Sequence, residues 1–133
     1  SGTGTHGLTG KLEIDGGKLT YAVNERIWFF EELKNTTAGN VQYGVLGVEA
    51  QAASGSKILQ TSLSAGANPL QIDAGCTGPT DRCGGRLRDD MTIGVAGQYR
   101  LRMVVCYNLK VSECNQSGAQ WEYLSDAILI TIE

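Results

Sequence analysis

Histidine is almost missing from this chain: of 133 residues only His6 is one, and it sits in a glycine-rich terminus. That scarcity argues against Ser-His-Asp and Cys-His catalysis, in which an imidazole must move the proton. The nucleophile turn Gly-x-Ser-x-Gly is absent, and so is a Gly-x-x-x-x-Gly-Lys-Ser/Thr phosphate loop. Ala53-Ser54-Gly55-Ser56 reads only as a turn. Charge is also scarce, at 19% charged residues and a net charge of −3. A nucleic-acid binder needs a basic face and a membrane-surface module needs clustered Lys and Arg, so neither partner is expected. No apolar run reaches the length of a membrane-spanning helix. Helix signals are nearly absent, because no segment carries a capped apolar stripe at helical spacing.

What is present is glycine, 18 residues of it, punctuating short runs rich in β-branched and aromatic residues. That pattern predicts an all-β fold, a two-sheet antiparallel sandwich of about seven to nine strands, in one domain over residues 1–133. A chain of this size buries about 65–70% of its unfolded surface, enough for one core without a metal staple. The spacing predicts strands over Leu8–Ile14, Lys18–Val23, Arg26–Asn35, Val41–Ala52, Lys57–Leu63, Arg86–Ile93, Gly97–Asn108 and Trp121–Ile132, with a short run at Leu70–Ile72. In the strongest of these, Ile27, Phe29 and Leu33 share one face, and Trp28, Phe30 and Glu32 the other. Gly44 and Gly47 predict bulges or close backbone approaches. The stretch from Ser64 to Gly85 is long and irregular, and needs pinning.

Four cysteines allow three pairings. Local pairing, Cys76 with Cys83 and Cys106 with Cys114, is the simplest, since each pair brackets a short polar segment. Neither spacing suits a zinc knuckle. Two disulfides would place the chain outside the reducing cytosol, secreted or at a cell surface. The chain starts at Ser1 without Met, which fits a mature chain whose leader has been removed or a cloned fragment. Asn35-Thr36-Thr37 and Asn115-Gln116-Ser117 match the glycosylation sequon, with plain turn chemistry as the simpler reading.

The segment Ala96-Gly97-Gln98-Tyr99-Arg100-Leu101-Arg102-Met103-Val104-Val105-Cys106 resembles the penultimate strand of immunoglobulin-like and fibronectin type III-like sandwiches. There a Gly-x-Tyr opens the strand, and the resemblance implies that the Tyr99 hydroxyl bonds the backbone upstream to close a corner. Leu124–Ile132 looks like the last strand of the same folds. The cysteines are not spaced to bridge two sheets around a core tryptophan, as in antibody domains. The resemblance speaks to architecture and is nearly silent on function.

Catalysis is therefore not expected, nor is any cofactor. Glu31–Glu32 and Asp89–Asp90 are adjacent on strands and point to opposite faces. A paired-carboxylate site would need something like Glu32 meeting Glu49 from a neighbouring strand, against the simpler reading of solvated surface charge. Asp73, Asp81, Asp89 and Asp90 are weak calcium candidates, since their alternation with Arg82, Arg86 and Arg88 reads first as ion pairing. Aromatic residues carry the main functional expectation, because sugar rings stack on flat aromatic faces while amides and carboxylates bond their hydroxyls. Trp28, Tyr107, Trp121 and Tyr123 are the candidate stacking residues, with Tyr43 a possible neighbour of Trp28. Asn108, Gln120 and Glu122 are the candidate hydroxyl partners.

The leading expectation is a non-catalytic extracellular binding module for polysaccharide. The alternative is a structural subunit of an extracellular filament or pilus, whose Ser1–Gly10 segment adds to the sheet of an identical subunit by donor-strand exchange. An inert spacer is the third reading.

Overall fold

Period-two alternation builds the central strand. From Ile27 to Asn35 every second side chain is buried, which turns Ile27, Phe29, Glu31, Leu33 and Asn35 inward and Trp28, Phe30 and Glu32 outward. The computed structural model describes residues 2–3, 6–66, 68–78 and 86–133. In chain order their strands are β1 (Gly2–Thr3), β2 (Leu8–Ile14), β3 (Thr20–Tyr21), β4 (Ile27–Asn35), β5 (Val41–Tyr43), β6 (Val45–Ala52) and β7 (Lys57–Ser64). They continue with β8 (Leu70–Ile72), β9 (Thr77–Gly78), β10 (Leu87–Met91), β11 (Gly97–Cys106), β12 (Trp121–Tyr123) and β13 (Ile128–Ile132). A single helical turn, α1 (Val111–Cys114), lies between β11 and β12.

Two sheets face each other. The first runs β1-β2-β4-β10, with β9 also along β4; the second runs β3-β13-β11-β6-β7, with β12 also along β11. β5 and β8 form a small separate pair. Among the described residues every pairing is antiparallel except β3 with β13. Phe29 and Leu33 of the first sheet meet Val48, Leu101, Met103, Val105 and Ile130 of the second in one continuous core. Each such side chain contributes about 1.5–3 kcal/mol through burial. This is the expected all-β sandwich.

The Tyr99 corner implied by the resemblance is present: the hydroxyl donates to the Val95 carbonyl oxygen over 2.8 Å. Both interior glycines also sit where the chain crowds itself. A Cβ on Gly44 would lie 2.0 Å from the Asn108 carbonyl oxygen, and one on Gly47 2.4 Å from that of Gln60, where the β6–β7 register shifts.

Several expectations need correction. Val41–Ala52 is not one strand, because it breaks at Gly44, where the loop after β11 packs onto the backbone. Trp121–Ile132 is also two strands. Between them the Ser125 hydroxyl accepts the Met103 N–H, taking the place of a backbone carbonyl in the ladder. Lys18–Val23 contracts to Thr20–Tyr21, and the Ser64–Gly85 stretch contains the short strands β8 and β9. Tyr43 is fully buried in the core and does not neighbour Trp28 on the outer face. Glu31 is not a solvated surface charge, since alternation carries it inside between Phe29 and Leu33. Glu32 and Glu49 cannot meet: they lie on the outer faces of opposite sheets, with the core between them.

The amino terminus is already paired at home. Gly2 and Thr3 lie against Gly10 and Thr9, and Leu8 is fully buried. The Cys106–Cys114 disulfide forms, with Cα atoms 6.1 Å apart. Cys76 is disulfide-bonded as well, and its expected partner Cys83 lies outside the described residues.

Candidate functional site

The outer face of the second sheet carries an open groove of about 470 Å³. Its floor comes from strand alternation. β11 places Val104 outward, and Val104 pairs with Tyr123 of β12 on one side and Gly47 of β6 on the other. One step along, Glu49 of β6 is opposite Arg102 of β11 and Leu59 of β7. Because side chains alternate, Trp121 and Tyr123 stand together on this face while Glu122 points the other way. Lys57 and Asn115 complete the rim.

The disulfide hairpin forms one wall. Cys106, Cys114 and Val45 make a small second core, with Val111 and Ala119 packed against it. The Trp121 indole N–H donates to the Cys114 carbonyl oxygen over 3.0 Å, which fixes the ring's orientation while the residue stays 36% exposed. The Tyr123 hydroxyl donates to Glu49 Oε1 over 2.6 Å, and its ring, also partly exposed, has the Arg102 guanidinium 4.7 Å from its centroid. The second Glu49 oxygen is 4.0 Å from Lys57 Nζ. Leu59 adds an exposed apolar surface beside them. The result is two oriented aromatic rings, an apolar floor, and a carboxylate, an amide and two cations within reach.

The other sequence candidates lie elsewhere. Tyr107 is in the main core, where its hydroxyl donates to Glu122 over 3.0 Å and its ring stacks on His6 at 3.6 Å. Burial, then the Glu122 bond and charge, push its phenol far above the usual range. Tyr107 and Glu122 thus bond each other on the inner side. The Asn108 amide oxygen accepts the Gln120 N–H over 2.7 Å and pins the loop; the Gln120 side chain is exposed.

Trp28 is on the outer face of the first sheet, remote from Trp121. The Arg88 guanidinium lies 4.0 Å from its ring and that of Arg26 5.8 Å, while Arg86 sits 4.3 Å from Phe30. These arginines are themselves paired with Asp15, Asp90 and Glu13. The patch is self-saturated, which leaves the Trp28 ring less free for a ligand.

Of the calcium candidates, Asp81 lies outside the described residues. Asp73 accepts from Gln71 over 2.7 Å, while Asp89 and Asp90 point to opposite faces of β10. Among the described residues no three His, Cys, Asp or Glu side chains gather closely enough to hold a metal ion.

Leu59, Val104, Arg102 and Lys57 carry no site signal in the sequence, and Glu49 enters there only as a carboxylate partner for Glu32. The outward row Val45, Gly47, Glu49, Gln51 follows from alternation, but its position beside Trp121 and Tyr123 depends on β6 and β12 both pairing with β11, which brings Glu49 to Tyr123 across 74 residues.

No protein-family model matches the chain, and no curated protein matches it. Solved structures do. An alkylpurine DNA glycosylase of Pseudomonas fluorescens, solved on DNA containing an abasic-site analogue, aligns with 95% of this chain at TM-score 0.62 and 12% identity. The C-terminal domain of wzt aligns with 98% at TM-score 0.62 and 13% identity, and the match covers 75% of that chain. A β-glucosidase of Listeria innocua in complex with glucose aligns with 94% at TM-score 0.55 and 10% identity. The chain spans only 30% of the glycosylase and 16% of the glucosidase. At such identities the likeness is one of fold: the β-sandwich recurs within proteins of unrelated activity.

Proposed function

We propose that this chain is a non-catalytic, extracellular binding module that takes polysaccharide on the outer face of its second sheet. The observation that carries the reading is the pair Trp121 and Tyr123. Both rings are exposed on one strand face, and each is held by a hydrogen bond of its own polar atom, to Cys114 O and Glu49 Oε1. Large apolar rings kept in the open by such anchors suit stacking on sugar C–H faces. Glu49, Lys57 and Asn115 stand where hydroxyls of the stacked sugar would project. The disulfide supports an oxidising compartment. The strand order and the Tyr99 corner support an immunoglobulin-like or fibronectin type III-like module. The Listeria innocua β-glucosidase holds a similar fold as a small part of a longer chain, and we propose the same setting, a module appended to a larger protein, for this one. No helix among the described residues is long and apolar enough to cross a membrane.

The filament reading is less favoured, because exchange of Ser1–Gly10 would have to withdraw the buried Leu8 from its own core. Affinity electrophoresis against a panel of neutral and charged polysaccharides tests the proposal. At least one should retard the wild type and leave Trp121→Ala unretarded; no retardation by any of them would contradict it.

A further inference from the structure

The sandwich interior contains one acidic group that the groove does not use. Glu31 is fully buried on β4, and neither carboxylate oxygen has a hydrogen-bond partner. Around it lie Leu12 of β2 and Leu87 of β10 as direct strand neighbours. Asp89 of β10 lies on the same inward row, one pair along, opposite Phe29. Ser62 of β7, whose buried hydroxyl lies near the carboxyl but outside hydrogen-bond geometry, and Tyr43 of β5 are also close to it. Among the described residues no cation acts on this carboxyl; the charged groups that do are Asp89 and, on ionisation, Tyr43.

An ionised carboxylate without partners in such a place is costly, whereas the neutral acid is tolerated. Desolvation, with the Asp89 charge adding to it, raises the Glu31 pKa from the ordinary 4.5 to about 7, and the Ser62 hydroxyl only partly opposes that rise. Tyr43 is pushed up to about 12, by burial first and then by Glu31.

We propose that Glu31 is a proton-binding site inside the sandwich, so that closure of the first sheet on the second is coupled to pH. The folded state keeps its proton up to neutrality, while the unfolded chain has released it above the ordinary carboxylate value. Between those two values the folded state binds the extra proton, so stability falls as pH rises. The folded-to-unfolded ratio then drops by up to about tenfold per pH unit through that window and levels off above it.

The test is denaturant unfolding of the wild type and Glu31→Gln from pH 4.5 to 8.5. The difference between the two should change with a slope close to one proton over the lower part of that range and level off by about pH 8, with the variant gaining on the wild type as pH rises. Parallel pH profiles would overturn the proposal. Should Glu31→Gln fail to fold, the carboxyl carbon shift of Glu31, followed by NMR in the wild type, decides. A midpoint near neutrality supports the proposal, and one in the ordinary carboxylate range overturns it.

Discussion

The indole N–H of Trp121 donates to the backbone carbonyl of Cys114, the residue whose sulfur ties the hairpin back to Cys106. One covalent link therefore sets both the wall of the groove and the orientation of its principal ring. Replacing Cys106 and Cys114 together by Ser should cost about 2–3 kcal/mol, the chain-entropy value for so short a loop. It should also free the indole. Urea unfolding measures the first effect, and a shift of the Trp121 emission, followed in a Trp28→Phe background, measures the second. Loss of stability with unaltered emission would separate the disulfide from the ring.

The Tyr99 corner should be a stability device with no part in binding. Tyr99→Phe removes one hydrogen bond to the Val95 carbonyl and keeps the ring, so about 0.5–1.5 kcal/mol should be lost in chemical denaturation. Retardation by polysaccharide should be unchanged.

Asn35 is a buried amide with every polar contact assigned. Its Nδ2 donates to the Gly39 and Ile72 carbonyls, and its Oδ1 accepts from the Thr37 N–H and hydroxyl. Asn35→Asp would turn an acceptor toward two carbonyls and should cost at least about 1–3 kcal/mol by thermal or urea unfolding. The sequon at Asn35 is thus turn chemistry in the folded chain, whereas Asn115 is exposed beside the groove.

Gly44 should refuse any side chain. A Cβ there would press on the Asn108 backbone oxygen, and a backbone atom yields less readily than a side chain. Gly44→Ala should therefore lose about 1–3 kcal/mol, read as a lower unfolding midpoint, and should loosen the disulfide hairpin. An unchanged midpoint would show that the hairpin shifts freely.

Much of this fold was legible from period-two patterning. The strand Leu8–Ile14 has the boundaries that alternation and flanking turns assign, and the short Leu70–Ile72 run forms a strand within the irregular stretch. The outward facing of Trp28 and Phe30, and the shared face of Trp121 and Tyr123, follow from the same rule. Alternation reports which way a side chain points, and says nothing of what stands opposite. Arg88 covering Trp28, and Glu49 meeting Tyr123, arise from cross-strand partners that lie far away in sequence. Tyr43 was misplaced for a local reason: the break at Gly44 separates its strand from β6, and with it the phase of alternation. Glu31 held its phase, but residue type suggested surface where position dictated core.

Calorimetric titration of one retarding polysaccharide into wild type, Trp121→Ala and Trp28→Ala tests the central claim most directly. The account predicts at least about tenfold weaker binding, about 1.4 kcal/mol, for Trp121→Ala, with Trp28→Ala binding like wild type. Equal affinity for wild type and Trp121→Ala, or a loss confined to Trp28→Ala, would contradict it.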